Sequence, residues 1–325
     1  MKVVICDYKD VLDRELEYEK NIIKNGIKDV DISVYEYNGD NEEFIKEIED
    51  ADAILTAFLD IDKDVINKCK NLKCISINAV GYDTVDLEAA RKNNIMVCAI
   101  EEYCTQEVAE HTLALILSLN RGIKHYINDI DNKNVWKYQS ITGLRRLEGQ
   151  TLGVYGFGSI GRAVAKRAQG FGINVVAVDP YISQEFADKY GVKIVDSNYI
   201  IENADIISNH MNQNNSNNNL FNLEEFKKMK KNPIFINVGR GSCVNEEDLL
   251  IALERNYIRG AGLDVLEAEN PDIKNNKLVK RENVIITPHA AFYSETSMRE
   301  LQRISCENIV NFFNNNMVGI KKIVS

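Results

Sequence analysis

Short apolar runs alternate along the chain with longer stretches that carry apolar residues at helical spacing, a pattern that predicts parallel sheets joined by crossover helices. In the first third, strands are expected at Lys2–Cys6, Ile32–Tyr35, Ala53–Thr56, Lys73–Ile77 and Met96–Ala99, with helical patterns between them. Cys104–Arg121, with Val108, Leu113, Leu115, Ile116 and Leu119, reads as a long apolar connecting helix. A second series follows. Thr151–Tyr155 reads as a buried strand, Ile160–Phe171 as a helix, Val175–Val178 as another buried strand and Asp205–Ser208 as strand-like. The last pattern, Ser294–Asn314, is helical and is expected to pack back on the first domain. This gives an α/β protein of two Rossmann-like parallel-sheet domains, residues 1–103 with 294–325 and residues 104–293, with a ligand cleft expected between them. The asparagine-rich Met211–Asn219 reads as a loop near a cofactor, and since asparagine recurs elsewhere it is given no special function.

Within the second series, Gly156-Phe157-Gly158-Ser159-Ile160-Gly161 joins a strand to a helix. Such a spacing alone is weak, but here the flanking strand and helix supply its context. Gly156 permits the tight turn, Gly158 lets backbone approach a pyrophosphate, and Gly161 lets helix and strand pack closely. The free N–H groups at the helix N-terminus favour phosphate. Asp179 closes the next strand about 20 residues on, where a carboxylate accepts the ribose hydroxyls. Pro180-Tyr181 bring no cation to offset that charge, so NAD is expected rather than NADP.

The 325 residues suffice for two domains and carry a net charge of −10, which argues against nucleic-acid and anionic-membrane partners. No apolar run approaches the roughly 20 residues that span a bilayer, and the N-terminus does not read as a signal peptide. The seven cysteines form no CxxC pair and the four histidines no zinc-like spacing, so a cytoplasmic protein without a metal is expected.

Reduction of a 2-oxo acid by nicotinamide needs a cation for the carboxylate and an acid of near-neutral pKa. Three strand-end segments offer such groups: NVGRG with Arg240, GLDVLEAE with Asp264 and Glu269, and TPHAAFY with His289. Singly, each reads as a surface charge or a turn. Together with GFGSIG, Asp179 and their order, they make the chain resemble the D-isomer-specific 2-hydroxyacid dehydrogenases over essentially its full length. The RGAGLDVLEAENP and TPHAAFYSE segments are most similar to the branch of C-terminal binding proteins and their bacterial relatives, and D-lactate dehydrogenases share much of the latter.

The resemblance implies a flavodoxin-like substrate domain and an NAD-binding domain. It implies His289 as acid–base, Glu269 as the carboxylate that orients it and favours imidazolium, and Arg240 as the group that binds the substrate carboxylate and polarises the carbonyl. Asp264 would lie near the nicotinamide and hold the cofactor, while Asn78-Ala79-Val80-Gly81 would hold the substrate carboxylate through backbone N–H groups. Tyr103, Phe292 and Phe58 would line the pocket. Further cofactor contacts carry over to Ser159, Ile160, His210, Met211, Asn212, Asn217, Val238 and Gly239. Asn212 stands where most members of the family have proline, and His210 belongs to the cofactor edge rather than to catalysis. Leu55–Asp60 and Ile77–Tyr82 contain no Lys or Arg, so the expected substrate is an unphosphorylated 2-oxo acid, unless Arg299 or Lys124 supplies the missing cation. A homodimer is expected through the NAD-binding domain, with Asn120–Arg146 as its arm. The alternative to an enzyme is an NAD(H)-sensing scaffold like the C-terminal binding proteins, which retain the same residues.

Overall fold

Residues 1–212, 216–268 and 270–325 are described by the structure, a computed structural model. The chain divides into two units, Met1–Tyr103 with Ser294–Ser325, and Cys104–Tyr293.

The sheet of the first unit contains β1 (Lys2–Tyr8), β2 (Asp31–Tyr37), β3 (Ala53–Thr56), β4 (Cys74–Ile77) and β5 (Met96–Ala99) in the order β2-β1-β3-β4-β5, with the C-terminal strand Lys322–Ile323 beside β5. The first five are parallel and the last is antiparallel. That order is the flavodoxin-like one. Successive side chains point to opposite faces, so Val3, Ile5, Leu55, Cys74 and Cys98 pack in one layer with Cys306 and Ile309. Val4, Cys6, Ile54, Ile75 and Val97 pack in the other, with Phe44 and Val65. The last helix, Glu295–Phe313, begins at a Ser294 capping box and lies on the first layer. β1 runs beyond the expected Cys6 because it pairs with β2 through Tyr8. The partner strand, not the hydrophobic run, sets where it ends.

The second unit contains β6 (Thr151–Tyr155), β7 (Asn174–Val178), β8 (Lys193–Ile194), β9 (Ile206–Asn209), β10 (Ile234–Asn237), β11 (Gly260–Leu263) and β12 (Val284–Ile286). They form one parallel sheet in the order β8-β7-β6-β9-β10-β11-β12. The order reverses between β6 and β9, and in such sheets ligands bind outside the carboxyl ends of the strands at that point. Leu152, Val154, Ile234 and Ile236 pack with Val108, Leu113 and Ile116 of the helix Thr105–Asn120. On the other face, Phe235 meets the rings of Phe221 and Phe226 edge-on at 4.8 and 5.5 Å. Truncating such a buried ring to alanine costs about 3–5 kcal/mol. The segment after the connecting helix forms the helix Ile123–Lys133 and a short turn at Tyr138–Ser140.

Candidate active site

The carboxyl ends of β6, β7, β9, β10, β11 and β12 carry the chemistry-bearing residues of the second unit. After β6, Gly156 adopts φ +86°, a left-handed conformation that side chains rarely accept. Gly158 caps the helix Ser159–Gln169, and a Cβ placed on it would meet nothing within 4 Å. A Cβ on Gly161 would collide with the Gly156 carbonyl oxygen, so the helix approaches the turn as closely as glycine allows. The open backbone at Gly158 and the unpaired N–H groups of the helix start form a cradle that fits a pyrophosphate. Ser159 accepts a bond from Arg162 Nη2 at 3.2 Å, and Ile160 is half-buried behind it. Asp179, just past β7, accepts the Phe157 amide at 2.8 Å and the Tyr181 amide at 2.9 Å, which ties the carboxylate to the glycine turn.

Past β9, His210 is half-buried, with its Nδ1 shut off from solvent. Its Nε2 lies 2.8 Å from the Ser208 hydroxyl, and its Nδ1 has no hydrogen-bond partner among the described residues. Burial pushes its pKa down to about 3, so the ring is neutral at physiological pH and serves as no proton donor. The Met211 amide donates to Asn209 Oδ1 at 3.1 Å, and the buried Asn217 donates to the Asn212 carbonyl at 2.7 Å. Asn209 in turn donates to Asn237 Oδ1 at 3.0 Å, an atom that also accepts the Gly239 amide at 3.2 Å. Asn237 Nδ2 donates to the Arg240 carbonyl at 3.0 Å. This buried asparagine pair fixes the turn Val238-Gly239-Arg240 against the β9 loop. Arg240 is exposed, donates to the Gly239 carbonyl at 2.9 Å and forms no ion pair among the described residues.

Asp264 follows β11 directly and is 1% exposed. Its Oδ1 accepts the Thr287 hydroxyl at 2.5 Å and the Ala290 amide at 2.9 Å, and its Oδ2 accepts the Ala291 amide at 2.9 Å. Its carbonyl accepts the His289 amide at 2.8 Å. The loop after β12 is thus held at both ends by one residue. Within it His289 adopts φ 50°, an unfavourable conformation for a histidine, and its ring meets Phe292 edge-on at 5.9 Å. Because the Thr287 hydroxyl donates to Asp264, the His111 Nε2 that lies 2.9 Å from that oxygen must be its donor. The expectation for Glu269 lies outside the described residues.

Comparison with known proteins bears on this arrangement. Residues 113–291 match the model of the D-isomer specific 2-hydroxyacid dehydrogenase NAD binding domain. The chain belongs to this family. It is 37% identical over 270 residues to a D-3-phosphoglycerate dehydrogenase of Methanocaldococcus jannaschii, a match covering 82% of this chain and 51% of that one. It is 32% identical over 272 residues to a glyoxylate reductase of Korarchaeum cryptofilum, covering 82% and 81%. Its fold matches the NAD-complexed D-isomer specific 2-hydroxyacid dehydrogenase of Lactobacillus delbrueckii ssp. bulgaricus, with a TM-score of 0.85, 26% identity and 100% of both chains covered. The chain spans about half the length of the 3-phosphoglycerate dehydrogenases it matches.

In the first unit of this family member, Asn78 follows β4, is buried, donates its amide to the Thr56 carbonyl at 2.7 Å and accepts the Ser305 hydroxyl at 3.0 Å. The Ala79 carbonyl accepts the Ile100 amide at 3.1 Å, while Val80 is exposed and a Cβ on Gly81 would meet nothing within 4 Å. Tyr103 packs on Ile100, Leu301 and Ile304. The buried Asp7 accepts the Ala57 amide at 2.5 Å and so shapes the turn that exposes Phe58. The two cations considered for a phosphorylated substrate are engaged elsewhere. Arg299 pairs with Glu15 at 3.0 Å and lies over the Tyr18 ring, and Lys124 donates to the carbonyls of Arg281 and Val284. Among the described residues no cluster of His, Cys, Asp and Glu could hold a metal, and no helix is long and apolar enough to cross a membrane. Sequence reasoning missed the Asn209–Asn237 pair, His111 and Asp7. The available signal was asparagine at the end of two strands that the topology makes neighbours.

Proposed function

We propose that the protein is a cytosolic NAD-dependent dehydrogenase that reduces an unphosphorylated 2-oxo acid to the (R)-2-hydroxy acid. The observation that carries this reading is the loop Thr287–Phe292, in which a buried carboxylate holds His289 in an unfavourable backbone conformation at the sheet edge that also bears Arg240 and the glycine turn. NAD(H), when bound, supplies the hydride exchanged with C2 of the substrate. His289 donates the proton to the carbonyl oxygen during reduction and recovers it during oxidation. Arg240 binds the carboxylate and polarises the carbonyl, its guanidinium being free of ion pairs among the described residues. Glu269, by its sequence position, is the carboxylate partner of His289. Within Asn78–Gly81 the Asn78 N–H is taken by the Thr56 carbonyl, and the N–H groups of Ala79, Val80 and Gly81 serve the substrate carboxylate, with Tyr103 and Phe292 offering it apolar surface.

The substrate class is supported by the absence of Lys and Arg from Leu55–Asp60 and Ile77–Tyr82, and by the engagement of Arg299 and Lys124 elsewhere. A homodimer through the NAD-binding domain is supported by the helix Ile123–Lys133 and the segment after it, where Ile123, Ile127, Ile130, Trp136 and Tyr138 are exposed. The test is NADH oxidation, followed by absorbance, with pyruvate, 2-oxoisocaproate, phenylpyruvate, glyoxylate, hydroxypyruvate and phosphohydroxypyruvate. An unphosphorylated acid is expected to give the highest kcat/KM. Preference for phosphohydroxypyruvate would overturn the substrate class, and tight NADH binding without turnover of any acid would replace the enzyme by the NAD(H)-sensing scaffold.

A further inference from the structure

β9 lies between β6 and β10, so the loop after it is flanked by the glycine turn on one side and by the turn that bears Arg240 on the other. Both neighbours approach it as closely as backbone can. A Cβ on Gly156 would lie 3.1 Å from the His210 carbonyl group and from the Met211 amide nitrogen. A Cβ on Gly239 would lie 2.8 Å from the Met211 carbonyl oxygen and 3.1 Å from Asn209 Nδ2. The His210–Met211 backbone thus fills the space between the pyrophosphate cradle and the Arg240 turn, with no room for a methyl group at either contact. Gly241, just past Arg240, packs as tightly on the Leu266 carbonyl.

Two asparagines, both buried, complete the arrangement. Asn209 Oδ1 accepts the Met211 amide at 3.1 Å, which leaves Nδ2 to donate to Asn237 at 3.0 Å. Asn237 Oδ1 accepts that bond together with the Gly239 amide at 3.2 Å, and its Nδ2 holds the Arg240 carbonyl at 3.0 Å. The two amides therefore bond the main chain on either side of the contact between the loops. Packing alone does not call for amides here, since leucine has the same branching and no polar group to satisfy. A buried polar network with its bonds made serves instead to fix one arrangement. Arg240 needs such fixing. Its guanidinium donates to the Gly239 carbonyl of its own turn and forms no ion pair among the described residues, so its position follows the backbone that carries it.

We infer that Asn209 and Asn237 are positioning residues for the hydride transfer: they register the Arg240 turn on the His210–Met211 backbone and so hold the guanidinium at a fixed offset from the cofactor cradle. The cradle sets where the hydride donor sits and Arg240 sets where the substrate carboxylate sits, and a misplacement of one against the other by an ångström costs about 10²-fold in rate. Neither asparagine touches substrate in this scheme; both act through Arg240. The inference rests on the dehydrogenase reading and on Arg240 as the group that binds the acid.

The full chain is assayed by NADH oxidation with the 2-oxo acid it turns over best, beside an NADH titration of the free protein. Asn209→Leu removes the bonds to Met211 and Asn237 and keeps the branching of the side chain. It is expected to raise KM for the acid and to lower kcat by about tenfold each, with the NADH Kd within about threefold of wild type. In an Arg240→Ala background the same substitution is expected to change kcat/KM by no more than about threefold, because the group to be positioned is gone. An equal loss with and without Arg240 shows a merely structural role and overturns the inference. So does a KM for the acid within about twofold of wild type in Asn209→Leu. Gly239→Ala leaves both asparagines in place but drives a methyl group against the Met211 carbonyl, and it decides the matter by the same readouts should Asn209→Leu fail to fold. A wild type that oxidises NADH with none of the acids fails the dehydrogenase reading and takes the positioning role with it. An active wild type with unaffected variants overturns the positioning role alone.

Discussion

Asp264→Asn separates a residue that grips the cofactor from one that positions His289. The carboxylate accepts three bonds from the loop after β12, two from amides and one from a hydroxyl. Asparagine keeps the shape, but its NH2 group must face either the Ala291 N–H or the pair from Thr287 and Ala290. One charge-assisted bond is lost, about 1.5–3 kcal/mol, and a buried donor is left unsatisfied, about 1–3 kcal/mol. A destabilisation of roughly 2.5–6 kcal/mol is expected in urea unfolding. The left-handed backbone at His289 adds about 1–2 kcal/mol that favours relaxation of the loop once its anchor weakens. A shift of the imidazole by an ångström lowers kcat by about 10²-fold. The assay pairs urea unfolding with steady-state reduction and an NADH titration, and the NADH Kd is expected to stay within about threefold, since no N–H of the glycine turn depends on Asp264. Thr287→Val removes the bond that the hydroxyl donates to Asp264 and the one it accepts from His111, and should cost roughly 1–3 kcal/mol. A large loss of NADH affinity with kcat preserved would refute the positioning argument and return Asp264 to the cofactor.

Asp179→Ala should narrow the preference for NADH over NADPH, because the carboxylate that repels a 2′-phosphate is gone. Equal kcat/KM with both cofactors in the wild type would contradict this reading. His289→Ala should lower turnover by about 10²–10⁴-fold while NADH still binds in a fluorescence titration. Glu269→Gln should shift the fall in reduction rate to lower pH, since the imidazolium loses its counter-charge, and an unchanged profile would remove Glu269 from that role. His210 takes up its proton in the unfolded chain near pH 6.5 but in the folded one only at about 3. Its contribution to stability is therefore complete above the unfolded value and is lost as pH falls towards the folded one. Between pH 7 and 4.5 the wild type should lose about 2–3 kcal/mol more than His210→Asn, and equal acid slopes in urea unfolding would exclude the effect.

The glycine turn was legible because each of its requirements is local: a left-handed turn at Gly156 and a close approach at Gly161 depend on neighbours a few residues away. The strand sets were legible for the same reason, as continuous apolar runs. The bonds of Asp264 to the loop after β12 were not. That residue follows β11 and lies beside the loop after β12 only because those strands are adjacent, and from sequence alone its carboxylate was assigned to the nicotinamide. Asn209 and Asn237 met the same obstacle, since a polar residue ending an apolar run reads as punctuation until β9 and β10 are known to be neighbours. Strand ends differed by a residue or two where hydrogen bonding outlasted the hydrophobic pattern, as at Tyr8, while the helices stopped one or two residues inside the expected C-terminal ends.

The first unit is written in two separated pieces, and this orders events at the ribosome. Val3, Ile5, Cys74 and Cys98 are covered by Cys306 and Ile309 of the last helix, and Ser76 donates to the Ser305 carbonyl at 2.7 Å. None of those partners exists until the whole of Cys104–Tyr293 has been made, which takes roughly 10–40 s at ordinary elongation rates. During that interval the nascent N-terminal sheet bares one oily face, while the contiguous second unit has all it needs to fold. The emerging chain thus completes its middle first and its beginning last, and its demand for chaperone cover should peak late in synthesis, ending when the final helix clears the exit tunnel.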